Sequence, residues 1–167
     1  YKGEVCEIYY FSSDGGATED GINVFSADRP YLAGKPDPFE DAVNYTLRSW
    51  SFEKSGKDLQ TILNKAGFEI GEVTGIYPSV SRSGNVIALR FSDDDGQSVL
   101  IEGRRCYTIL GLHNCRFDVV RDGDVFSFTG SGWGHNCGMS QWGAYAMADV
   151  YGYDYQDIIR FYFTGAY

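Results

Sequence analysis

Positive charge is scarce in this chain. Its 14 Lys and Arg face 23 Asp and Glu, which gives a net charge of -9 and a pI near 4.6. Phosphate backbones demand a basic face, so nucleic acid is excluded as a partner. Electrostatic docking on an anionic membrane is excluded on the same ground. No run of about 20 apolar residues is present, so nothing here spans a bilayer as a helix. Internal repeats and low-complexity tracts are absent as well. The chain has no leader and no initiator methionine, and it opens on "YKGEVCEIYY" as if inside a strand. That start points to a processed chain or a fragment, so the missing leader leaves the compartment open.

The 167 residues present suit one domain with a real core, and 43% of them are hydrophobic. Aromatics reach 16%, led by thirteen tyrosines and eleven phenylalanines. Tyrosine joins an apolar face to a polar tip, so it serves both cores and sugar-binding surfaces.

The pattern along the chain is α+β. A strand is expected over Glu4–Ser12, then a loop, "SDGGATEDG". "RPYLAGKPDPFED" holds three prolines and reads as extended, irregular chain. "NYTLRSWSFE" alternates like a strand. "SGKDLQTILNKAG" carries helix signals: Ser55 as N-cap, Asp58 three residues on, an apolar face of Leu59, Ile62 and Leu63, and Gly67 as the stop. Three strands follow in "IGEVTGIYPSVS", "VIALRFSD" and "SVLIEG", joined by the turns "SRSGN" and "DDDGQ". The first acids of that second turn, Asp93 to Asp95, read as solvated. "RRCYTILG" is a short helical turn, and "RFDVVRDGDVFSFTG" is a hairpin turning at Arg121–Asp124. Two helices close the chain, Ser140 to about Val150 and Asp154 to about Phe163. The expected architecture is a single domain, mostly antiparallel β with short helices.

One segment stands apart, "GSGWGHNCGMSQWGAYAMADVYG" from Gly130 to Gly152. Its glycines permit positive φ and close backbone approach. His135 can donate, accept or take a proton near neutral pH. Ser140 is placed to cap a helix whose first turn holds Gln141 and Trp142, and free N–H groups there suit an oxygen-rich ligand. The residues alone leave two readings open: a ligand groove, or a tight corner that His135 pins.

"GWGHNCGMSQWGAYAMA" resembles the closing motif of the stage II sporulation protein D family, which includes the amidase-enhancer proteins. The family pattern is close to G-x-G-H-G-x-G-M-S-Q-x-G-A-x-x-M-A. "YYFSSDGGATEDGINVF" with the later "RPYL" is similar to the family's Y-x-S-S-x-G-G-x-T-E segment and its P-Y-L. "LGLHNCRF" and "DIIRFYFTGA" match two further stretches in order. The resemblance implies peptidoglycan glycan strands as substrate and a place outside the cytoplasmic membrane. It implies lytic transglycosylase chemistry, in which one acid protonates the glycosidic oxygen and the sugar's own 6-hydroxyl closes to a 1,6-anhydro product. For other members it implies partnership with a cell-wall amidase. On this reading Ser12, Ser13, Gly16, Thr18, His135, Gln141 and Trp142 line the glycan groove.

The family's glutamate lies in an N-terminal helical segment like E-A-L-K-A-Q-A-V-A-A-R-T-Y, which this sequence lacks. The expectation is therefore a domain that starts after it. Glu19, which matches the family's T-E, stands as the substitute acid or as a residue that orients its loop; Asp14 and Asp20 share that loop. No cofactor is expected. Cys6, Cys106, Cys115 and Cys137 leave three states open. They are buried free thiols, a disulfide such as Cys106–Cys115, or part of a zinc set of His113, Cys115, His135 and Cys137 from the repeated "HNC".

Overall fold

The computed structural model describes residues 1–46 and 48–166. Its class is α+β, and every sheet of more than two strands is antiparallel. The chain forms two compact units. One is Trp50–Gly130; the other joins Tyr1–Ser49 to Ser131–Tyr167.

The Trp50–Gly130 unit is built from regular elements. Strands β2 (Trp50–Ser55), β6 (Phe117–Asp122) and β7 (Val125–Gly130) make a sheet in the order β2-β7-β6. Strands β3 (Val73–Val80), β4 (Val86–Asp93) and β5 (Ser98–Glu102) make a second, in sequence order. Helix α2 (Gly56–Lys65) starts as its sequence dictates. The Ser55 hydroxyl accepts from the Asp58 N–H at 3.1 Å, and the Asp58 carboxylate accepts from the Ser55 N–H at 3.2 Å. Leu59 and Leu63, four apart on one face, are fully buried with Leu89, Phe91, Ile101 and Phe128. Helix α3 (Arg105–Thr108) is the expected short turn. The β6–β7 hairpin turns through Gly123, whose φ of +59° suits a two-residue connection.

The other unit is mostly loop. Strand β1 (Tyr10–Phe11) pairs in parallel with β8 (Met139–Ser140). Helices α1 (Gly21–Phe25), α4 (Gln141–Asp149) and α5 (Tyr155–Tyr162) surround a core of Tyr31, Leu32, Cys137, Met147, Tyr162 and Phe163. Ser140 and Asp154 cap α4 and α5 as expected, each accepting a backbone N–H of the first turn.

Several expectations need correction. The strand over Glu4–Ser12 shrinks to Tyr10–Phe11, because Val5 and Ile8 are exposed and face no neighbouring strand. The strand expected over 44–53 begins only at Trp50, and Leu47 within it lies outside the described residues. The proline-rich stretch holds two single 3₁₀ turns, Pro30–Leu32 and Glu40–Ala42. Asp93 is not solvated: it is 5% exposed, and its carboxylate accepts the N–H groups of Gly71 and Gln97, both at 2.8 Å. No helix among the described residues is long and apolar enough to cross a membrane.

The capping box gives a direct check on this reading. Ser55→Ala should lower stability by about 1 kcal/mol in a denaturant titration, with an unchanged slope.

Candidate functional site

Three loops of the loop-rich unit meet: residues 12–19, 34–45 and 131–143. Backbone bonds stitch the first to the second. The Thr18 N–H donates to the Lys35 carbonyl at 2.9 Å, and the Asp37 N–H donates to the Gly16 carbonyl at 3.0 Å. Others stitch the first to the third. Ser13 and Trp133 exchange both backbone bonds, the Glu19 N–H donates to the Asn136 carbonyl at 2.6 Å, and the Trp142 N–H donates to the Ser12 carbonyl at 3.0 Å.

Glu40 sits where the loops join and is 3% exposed. Its carboxylate accepts the N–H groups of Asp14 at 2.9 Å and Gly15 at 3.1 Å. It also accepts the hydroxyls of Ser13 at 2.8 Å, Tyr45 at 2.6 Å and Ser140. A buried carboxylate is costly unless donors surround it, and here every loop supplies at least one. Sequence reasoning missed this group, because its "FED" context reads as surface chain.

Two more buried carboxyls adjoin it, Asp14 at 0% and Asp37 at 2% exposure. One oxygen from each of Asp14, Asp37 and Glu40 lies within 4.8 Å of the others. Asp37 accepts the Phe39 N–H at 2.9 Å and the Tyr162 hydroxyl. Asp14 accepts the Gly16 N–H at 2.7 Å through Oδ1. Burial holds the Asp14 carboxyl well above the usual range, and the charges of Glu40 and Asp37 push the same way. Burial also raises Asp37, against the pull of its bonds from Tyr162 and Phe39. Burial, with the charge on Asp37, drives the Tyr162 phenol far up. This all-oxygen group is the one set of three potential ligand side chains in mutual reach among the described residues, and its chemistry suits a hard cation.

Two glycines of the motif are explained by close approach. At Gly143, a Cβ would strike the Tyr162 hydroxyl and the Asp37 carboxylate. At Gly138, φ is +89° and a Cβ would strike the Tyr9 carbonyl.

The surface beside this buried centre is aromatic. Trp142 is half-buried and stacks on the Tyr45 ring, centroids 4.7 Å apart and planes 12° apart. Tyr145, 49% exposed, meets Trp142 edge-on at 5.6 Å. Gln141 is exposed at the start of α4. Thus Gln141 and Trp142 reach a surface, while Ser12 and Gly16 are half-buried. Ser13 and Thr18 lie inside, at 0% and 2% exposure, with Ser13 on Glu40 and the Thr18 hydroxyl oxygen accepting the Lys35 N–H. His135 is half-buried between Phe11 and Phe25, and its Nδ1 accepts the Cys137 N–H at 3.2 Å. That bond fixes the loop and leaves Nε2 to carry the proton of the neutral ring. Glu19 is 1% exposed; it accepts the Asp20 N–H and the Asn23 amide, so it braces its loop from within.

The structure bears on the disulfide alternative. All four thiols are free. Cys106 donates to the Ile101 carbonyl, and burial pushes the Cys106 and Cys137 thiols up to about 12. The Cys106–Cys115 bridge, one of the three alternatives, does not form: Cys106 and Cys115 each pack as a small apolar group. The two "HNC" copies belong to different units, His113 and Cys115 to one, His135 and Cys137 to the other. His113 packs edge-on against Trp50 and Phe52.

No family model matches the chain. Curated relatives do match. An uncharacterized protein of Brachyspira hyodysenteriae is 31% identical over 169 residues, covering 99% of this chain and 44% of the relative. Stage II sporulation protein D of Bacillus subtilis is 28% identical, covering 99% of this chain and 46% of its own length. The amidase enhancer of Bacillus subtilis is 24% identical, covering 99% of this chain and 30% of its own length. The chain thus spans less than half the length of each of these relatives.

Glu40→Gln would turn an amide N–H₂ toward groups that already donate. The expected loss is about 3 kcal/mol in chemical denaturation, as for two or so bonds to a charged acceptor. The raised carboxyls predict an inverted pH profile. Asp14 and Asp37 have folded pKa values above their unfolded ones. Their contribution is full below the unfolded value, near pH 4, and fades as pH rises through the folded values. With chelator present, Tm should fall as pH is raised from about 5 to 8, and Asp14→Asn should flatten that slope.

Proposed function

The chain belongs to the family that holds stage II sporulation protein D and the amidase enhancer, and from that premise we propose that it acts on the bacterial cell wall, outside the cytoplasmic membrane, by holding peptidoglycan glycan strands. The observation that carries this reading is the Trp142 indole, stacked on Tyr45 and flanked by exposed Tyr145 and Gln141 at the start of α4. Aromatic faces pack against the C–H faces of sugar rings, and a nearby amide and helix-start N–H groups suit hydroxyls and acetamides. The net charge of -9 suits a neutral or amino-bearing polymer better than an anionic one.

Within this role the full protein is a lytic transglycosylase of denuded strands or a non-cutting partner of a wall amidase. One observation favours the non-cutting role for these loops. A general acid must reach the glycosidic oxygen. The acids behind the aromatic face, Asp14, Glu19, Asp37 and Glu40, are all 3% exposed or less. On this reading they shape the face, and any acid that cuts is none of these four. The amidase-enhancer relative lends the partner its chemical class.

Sedimentation with insoluble glycan strands lacking stem peptides tests both parts. The chain should bind, and Trp142→Ala should weaken binding about tenfold or more while circular dichroism stays unchanged. Equal binding by the variant would remove the indole from the contact. Mass analysis of the supernatant should find no anhydro-muramic fragments. Their appearance, and loss on Glu19→Gln, would make Glu19 the acid and end the non-cutting reading.

A further inference from the structure

The buried centre under the aromatic face has a charge problem that hydrogen bonds only partly solve. Three carboxyl groups, each 3% exposed or less, bring oxygens within 4.8 Å of one another. Among the described residues none of the three makes an ion pair with a basic side chain. Glu40 has its donors, and Asp37 has Tyr162 and the Phe39 N–H. Asp14 is different. Its Oδ1 takes the Gly16 N–H, but its Oδ2 is wholly buried and receives no hydrogen bond. A buried carboxyl group with one oxygen lacking a donor, in reach of two further buried carboxyl groups, is the arrangement a cation completes.

We propose that Asp14, Asp37 and Glu40 form a calcium-binding site that ties the three loops together. The donor set is all oxygen, with neither nitrogen nor sulfur, which selects a hard cation. Calcium binds oxygens at about 2.3–2.6 Å, so ligands across the ion stand up to about 5 Å apart. The three oxygens lie within 4.8 Å of one another, inside that span. Magnesium demands a tighter octahedron and holds its waters, which a fully buried pocket does not favour. The hydroxyls of Ser140 and Tyr162, already bonded to Glu40 and Asp37, are neutral oxygens of the kind that fill out such a shell. Asp14 comes from the first loop, Asp37 and Glu40 from the second, and Ser140 from the third, so one ion would fasten all three. The competing occupant is a proton shared between Asp14 and Asp37, and it needs no metal. The site is independent of what the aromatic face binds.

Thermal unfolding of the chain after chelation, with and without 1 mM calcium chloride, separates the two occupants. A calcium site should raise Tm by roughly 5 °C or more. Asp14→Asn, folded by circular dichroism, should lose most of that rise. On the unaltered chain, terbium should show luminescence sensitised by Tyr45, Tyr162 and Trp142, and calcium should displace it. No rise in Tm at calcium concentrations up to 10 mM would overturn the proposal in favour of the shared proton. So would a rise that Asp14→Asn leaves intact, or terbium luminescence that calcium does not displace.

Discussion

The bonds to the buried Glu40 carboxylate hold the loop-rich unit in shape. Among the described residues that unit has one two-residue parallel strand pairing, two isolated bridges, three short α-helices and two 3₁₀ turns, too few ladders to define its own loops. One carboxylate with five donors substitutes for a sheet. The energetic logic is asymmetric: each bond adds little net stability, but each donor left unmade in the dry interior would cost more. A position for Ser140, hence for the start of α4 and for Trp142, follows from where Glu40 sits. The face that meets solvent is therefore set by a group that never does.

Much of the Trp50–Gly130 unit was legible because its signals are local. The Ser55–Asp58 capping box, the turns that join β3, β4 and β5, and the Arg121–Asp124 turn are each contained within a few residues. The helix starts at Ser140 and Asp154 were legible for the same reason. The loop-rich unit was not, because its determinants act at long range. Ser140 meets Glu40 across 100 residues, and Asn136 donates to the Asp14 carbonyl across 122. Nothing in "PDPFED" marks Asp37 and Glu40 as interior, since acids default to the surface. Motif resemblance drew attention to these loops, and in the fold Ser13, Thr18 and Glu19 lie buried within them. Groups that build a surface from below share its sequence neighbourhood with groups that present it.

Two roles are divided among the residues of the glycine-rich motif. Gly138, Gly143, His135 and Ser140 serve closeness: backbone against backbone, a ring against two phenyl rings, a hydroxyl against a carboxylate. Gln141, Trp142 and Tyr145 serve the outside. Corner and groove were rival readings of the sequence, and in the folded chain the corner supports the aromatic face.

The register of β2 against β7 has a kinetic consequence. Trp50 is the cross-strand partner of Gly130, so the Trp50–Gly130 unit begins and ends at one point. An unfolded stretch of that length between the two halves of the loop-rich unit would impose a large closure entropy on every bond across it. Once its hairpins have formed, the stretch acts as a connector only a few ångströms wide. Its own contacts are mainly between sequential strands, the kind that form early. The nascent chain thus holds the first half of the loop-rich unit in waiting, without its partners, until the second half is made. That interval leaves Tyr31 and Leu32, as well as the buried acids, without the Met147, Tyr162 and Phe163 side chains that cover them in the folded unit.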